Sequence, residues 1–183
     1  MTLIRTSGPD TEPVTAARVK DWLKITGSDQ DDMVDEIIQS AREYVEYILQ
    51  RQLMQATYEL YFDEFPDEIL LPRAPVQSIT SVNYIATDGS DYTEFTNKST
   101  DLISEPARIQ PAYNYSWPST KAVMNAVKVE FVAGYADADS VPERFKNAMK
   151  LYITHMFYNR GEEGYRTLPQ AFFDLLSDRL SIV

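Results

Sequence analysis

The chain has no cysteine. Disulfides, thiolate metal sites and a cysteine nucleophile are therefore excluded, and the absence suits a reducing compartment. It has one histidine, His155. That residue lies in an apolar stretch of helical period between Ile153 and Met156, and it reads as a packed or part-exposed structural side chain. No run of about 18 apolar residues occurs, so nothing has the length of a membrane-spanning helix. The first residues, Met1-Thr2-Leu3-Ile4-Arg5, lack the apolar stretch of a signal peptide. The expectation is a soluble intracellular protein. Positive charge is scarce: 17 Lys and Arg against 28 Asp and Glu give a net charge of −11. Binding a phosphate backbone needs clustered cations, and no such cluster is present, so no specific nucleic-acid binding is expected. The acid excess reads as solubility, or as a surface past which DNA must move without sticking.

Catalytic signatures are equally scarce. No Gly-x-Ser-x-Gly elbow anchors a hydrolase triad. Asp29, Asp31, Asp32 and Asp35 suggest cation binding at first sight. A Ca²⁺ loop opened at Asp29 needs glycine at its sixth position, and Val34 stands there. Capping of a helix start explains these acids instead. Asp137 and Asp139 flank Ala138 in a turn rather than a metal site. Gly161-Glu162-Glu163-Gly164 carries two acids that repel phosphate. Tyr113, Tyr115 and Trp117 have the rings to stack on bases, but they lack basic neighbours and read as loop packing or a protein contact. No enzyme, catalytic residue, cofactor or metal is expected.

What is present is 183 residues with ordinary apolar content, enough for one domain or one domain with a large insertion. Residues 1–13, with Gly8, Pro9 and Pro13, read as a loose arm. Thr15 caps a short helix to about Leu23, with Val19, Trp22 and Leu23 as its apolar face. Ser28 or Asp29 opens a long helix to about Leu49, in which Met33, Ile37, Ala41, Tyr44, Val45 and Ile48 recur every three or four residues.

From Ala56 the period changes to that of strands. Thr57 to Phe62, Ile69 to Leu71, Gln77 to Ile85, Tyr92 to Phe95, Ala107 to Gln110 and Val127 to Val132 all read as strands. The second and third are joined by a Pro-marked turn, and Asp88-Gly89 signals a hairpin. Residues 111–126 read as a long loop or a ribbon tip. Pro142 starts a helix to about Arg160 with Phe145, Met149, Tyr152, Ile153, Met156 and Phe157 on its apolar side. Gly161 to Thr167 reads as a polar hinge, and Pro169 begins a last helix. The predicted fold is α+β, a mainly helical core of about four helices with an inserted antiparallel β module. It forms a single domain over 1–183: helical over 14–50, β-rich over 56–132, and helical again over 141–183.

In order along the chain stand Pro13-Val14-Thr15, Ala41-Arg42-Glu43-Tyr44-Val45-Glu46, and Leu71-Pro72-Arg73-Ala74-Pro75-Val76 with Ser78-Ile79-Thr80-Ser81-Val82. Pro106-Ala107-Arg108-Ile109, Val129-Glu130-Phe131-Val132-Ala133-Gly134-Tyr135, Val141-Pro142-Glu143 and Leu168-Pro169 follow. Each is weak alone, but their order and spacing resemble the head–tail connector (adaptor) proteins of long-tailed bacteriophages and prophages. The resemblance runs from about Pro13 to Leu180. It implies a structural protein of the virion neck that forms a ring of about a dozen copies under the portal, on the DNA exit channel. It implies as partners the portal protein, tail-side neck proteins and other copies of the chain, which is monomeric or already a ring when free. It implies assembly in the host bacterial cytoplasm, with no membrane partner. The long segment from Tyr113 to Asn125 and the acidic hinge depart from the pattern.

Two other readings stay open: a tail-completion or stopper protein of the same neck, and an acidic protein that binds a host factor. The last helix is the candidate portal-docking element. Leu168, Phe172, Leu175, Leu176 and Arg179 fall on one stripe, and Phe173 and Leu180 widen the apolar surface. The competing reading of these residues is an ordinary core helix.

Overall fold

A computed structural model describes residues 1–159 and 167–177. Among them are eight strands and four helices. In chain order these are β1 (Thr2–Ser7), α1 (Ala16–Leu23), α2 (Asp31–Leu49), β2 (Ala56–Phe62), β3 (Ile69–Leu71), β4 (Val76–Ile85) and β5 (Tyr92–Glu94). Then come β6 (Lys98–Asp101), β7 (Ala107–Pro111), β8 (Val127–Ala133), α3 (Glu143–Tyr158) and α4 (Gln170–Leu176). The chain divides into two compact units. One holds residues 1–10 and 50–136; the other holds residues 11–49 and 137–183.

The β unit contains a five-stranded sheet in the order β1-β2-β8-β4-β5 and a three-stranded sheet in the order β3-β7-β6. Every pairing in both is antiparallel. Strict alternation builds the core. Tyr58 and Leu60 on β2, Val129 and Phe131 on β8, and Val82 on β4 point inward from the larger sheet. Ile69, Leu71, Ala107 and Ile109 meet them from the smaller one. Tyr58 stacks on Phe131 at 5.6 Å between ring centroids. A dry two-layer core of this kind is closed without help from a helix. That is why the expectation of a mainly helical core fails. The chain is β-rich, with two sheets that bury their own apolar faces.

Two local expectations also fail. Residues 2–7 are not a loose arm but an edge strand, paired with β2 from Thr2↔Tyr61 to Ser7↔Thr57. The segments either side of Pro72 and Pro75 are strands, but they do not pair with each other. β3 joins the three-stranded sheet and β4 the five-stranded one, and the Ala74–Pro75 peptide between them is cis.

In the helical unit Thr15 caps α1 by accepting a hydrogen bond from the Arg18 N–H, and Lys24 closes it in the left-handed conformation. The buried stripe of α2 is Val34, Ile38, Ala41 and Val45. Ile37 is only half-buried, because at about 100° per residue the core-facing line passes one position further on. α3 supplies Phe145, Ala148, Met149 and Ile153 to the same core. Three buried charges accompany them, Arg42 and Glu46 on α2 and Lys146 on α3. The Arg42 guanidinium, 3 % exposed, donates to Glu12 at 2.8 Å and to Glu46 at 3.1 Å. Burial works to lower the Arg42 pKa; the bond to Glu12 and the fields of Glu46 and Glu43 outweigh it and raise it. Paired in this way, a buried guanidinium is tolerated.

Candidate functional site

No catalytic constellation is evident among the described residues. His155, half-buried on α3, has its Nδ1 3.2 Å from the Asn159 amide. The same amide nitrogen donates to the His155 carbonyl. Both rest at the helix end. No group of three or more His, Asp or Glu side chains gathers at metal-binding distance, and no helix is long and apolar enough to cross a membrane, in both cases among the described residues. Asp31 and Asp32 lie in the first turn of α2, and Asp31 pairs with Lys20. Asp137 accepts from the Ser140 N–H, a turn-forming bond that lowers its pKa.

The surfaces are more informative. On α4, Phe172 is fully buried and lies 5.8 Å from the Tyr44 ring and 6.2 Å from the Tyr152 ring. Leu176 is buried with it. Leu168 and Leu175 are half-buried, and Phe173 is 39 % exposed with its edge against Phe172. α4 therefore has one face in the helical unit and one facing out. Leu180, Arg179 and the hinge glycines Gly161 and Gly164 lie outside the described residues.

The aromatic loop after β7 divides likewise. Trp117 stacks on Phe65 at 4.4 Å, tilts against Phe95 at 5.1 Å, and donates its Nε1–H to the Asp67 carbonyl. It is packing. Tyr113 and Tyr115 are exposed. Asn125 and Lys121 tie the far end of the loop down: the Asn125 N–H donates to Asp63, and Lys121 donates to the Gly89 carbonyl.

The turn joining β6 to β7 was not legible in sequence. The Asp101 carboxylate accepts from the N–H of Ile103 and of Ser104, from the Ser104 hydroxyl and from Arg108. The Ser104 bonds foremost, with Arg108 and Ile103, hold its pKa well below the usual carboxylate range. Glu105 accepts a two-pronged pair from Arg51. This tied turn presents Ile103 at 96 % exposure. The Asp101-x-x-Ser104 spacing, an Asx-turn pattern, was the available signal. A polar depression beside it, lined by Ser99, Asp101, Arg108 and Gln110, has its cations already paired: Arg108 meets Asp101 and Glu68.

On the outer face of the five-stranded sheet, Glu59 accepts from Tyr61 and from Lys128, and Lys128 lies 5.6 Å over the Tyr92 ring. The bond to Glu59 pushes the Tyr61 pKa up to about 12, and that same bond, with Lys128, lowers Glu59. The two sheet edges, β1 and β5, carry mostly exposed side chains.

The chain is similar to a subunit in the neck of the empty gene transfer agent particle computed with C6 symmetry, with TM-score 0.79 and 20% identity over 96% of this chain and 93% of that one. It is similar to a subunit of the virion of the native particle at TM-score 0.78 and 19% identity, and to one in the native neck computed with C12 symmetry at 0.75 and 18%. The same shares of each chain are covered in both. These likenesses give the fold. A search of curated proteins finds no match. Residues 12–167 match the head completion protein family. The chain belongs to that family, among the phage head–tail connectors.

Proposed function

We propose that this head completion protein is the adaptor of its neck, a ring-forming subunit under the portal. It is a structural neck protein that joins head and tail. The observation that carries the finer reading is the extent of the likeness: nearly the whole of this chain matches nearly the whole of a neck subunit, 96% and 93%. A shared module inside an unrelated protein would match only in part. The six- and twelve-fold symmetry with which the similar necks were computed supports a cyclic assembly here, in which one patch of each copy meets a different patch of the next. The reading assigns no chemical step to the chain.

The portal contact in this reading is the C-terminal segment. Phe172 and Leu176 anchor it in the helical unit, while Leu168, Phe173, Leu175 and Leu180 meet the portal. The excess of acids suits a channel for DNA, since a wall rich in Lys and Arg would bind phosphates. The test is electron microscopy of the purified protein mixed with portal, followed by the same experiment with the Phe173→Glu variant. A ring on the portal with the native chain, lost with the variant, supports the adaptor. A ring found only at the tail side of the neck overturns it.

A further inference from the structure

We infer that neighbouring copies in this ring join edge to edge, with β1 of one copy adding as a parallel strand to β5 of the next. The inference rests on the ring reading above and names its contact. β1 pairs only with β2, and β5 only with β4, among the described residues. Each therefore presents a row of backbone N–H and C=O groups on its outer side. Such edges are templates for another strand unless charge, proline or a covering element blocks them. β1 has little protection. It is six residues long, contains no proline, and its only charged residue is Arg5. Its one irregularity, between Arg5 and Ser7, lies at its far end.

Strand direction selects the pairing. Four antiparallel steps separate β1 from β5, so the two edges run the same way. Rotation about a ring axis turns any direction by no more than the rotation angle, about 30° between twelve copies and about 60° between six. Twist across the sheet adds to that angle, and the incoming β1 joins in the parallel sense when twist and ring rotation together leave it within a right angle of its neighbour's β5. An antiparallel β1–β1 contact would require a two-fold axis and would close as a dimer.

Side chains agree with this choice. Ile4 pairs with Glu59 and so stands on the outer face of its sheet; Tyr92 pairs with Ile85, and it too stands on the outer face under Lys128. They are the exposed apolar residues of the two strands, at 47% and 41% exposure. Edge-to-edge continuation keeps faces in common, so Ile4 comes beside Tyr92 of the next copy. Arg5 then falls on the face of Asp91 and Thr93. The segment from Asp88 to Glu94 holds three acids and no base. Lys98 pairs with Glu94, which leaves Asp88 and Asp91 to attract Arg5.

The chain's lack of cysteine makes the test clean. Rings assembled from an Ile4→Cys/Tyr92→Cys chain are treated with a short bismaleimide and run on a denaturing gel. The expected result is a ladder of covalent multimers, with either single variant staying monomeric. As an independent readout, Arg5→Glu or Asp91→Arg alone lowers ring yield several-fold, and the two together restore it, with thermal unfolding unchanged throughout. Rings seen by microscopy without a ladder overturn the strand contact and leave the ring reading standing. Dimers from Ile4→Cys alone overturn it in favour of a two-fold β1 contact. Failure of the native chain to form rings on portal removes the ring reading and this contact with it.

Discussion

Gly134 is where the β unit has no room for a side chain. Its φ of +106 lies where L residues are strained, and a Cβ there would run into the Met54 carbonyl. Its N–H donates to the Pro75 carbonyl and its own carbonyl accepts from Gln77, so the backbone cannot move aside cheaply. Gly134→Ala is expected to cost at least about 1–3 kcal/mol, the scale of backbone strain, read as a fall in the urea midpoint. Ile38 sets the same kind of limit in the helical unit. Ile38→Asp should cost about 3–5 kcal/mol as a buried unpaired charge, and Ile37→Asp distinctly less, since Ile37 is half-buried. Equal losses in the two variants would contradict the assigned stripe. At Asp101 the prediction concerns pH. A carboxyl whose folded pKa is depressed stabilises the fold fully above its ordinary pKa of about 3.9, and that contribution is lost as pH falls below it toward the folded value. The amide resonances of Ile103 and Ser104 should therefore stay fixed down to about pH 4 and move only below it; a midpoint at or above that value would show an unheld carboxylate. Residue by residue, apolar positions were easier to read than polar ones. Arg42 and Glu46 sit inside α2's buried face as an i, i+4 pair, but the second partner of Arg42, Glu12, comes from 30 residues away and leaves no mark in a local pattern.

Among elements, legibility followed alternation. β2 and β8 were evident because each places an apolar side chain inward at every second residue. β6 was missed because Lys98-Ser99-Thr100-Asp101 is an edge strand without an apolar face. β1 was missed because an arm with Gly8 and Pro9 outweighed the β-branched residues before it. That β3 and β4 belong to different sheets is a matter of long-range pairing, which no local period encodes. The resemblance to head–tail connectors was legible in the order of short segments. α4 offers the sharpest element-scale prediction. Phe172→Ala should destabilise the fold by about 3–5 kcal/mol, as deletion of a buried ring does, visible in thermal unfolding. Phe173→Glu, at a side chain 39% exposed, should cost distinctly less than Phe172→Ala in thermal unfolding, while head-to-tail joining in an assembly assay fails. Normal joining by that variant would place the portal contact elsewhere.

For the molecule as a whole, the net charge of −11 sets an expectation about DNA. Duplex DNA should show no mobility shift with micromolar protein at physiological salt; a shift that fades as salt is added would count against the proposed channel wall. The chain path has a further consequence. The helical unit is assembled from two stretches, residues 11–49 and 137–183, with the whole β unit written between them. On the ribosome α2 emerges early, yet the buried face of α3 that shares its core is not made until residues 143–158 leave the exit tunnel. Strands β2 to β8 complete their sheets in that interval and bring positions 50 and 136 into one compact body. Synthesis of the β unit thus shortens the wait of α2 for its partner, turning a closure of nearly a hundred residues into a local one. A ribosome stalled within the β unit would leave Val34, Ile38 and Val45 uncovered, and such nascent chains should be the ones that chaperones hold.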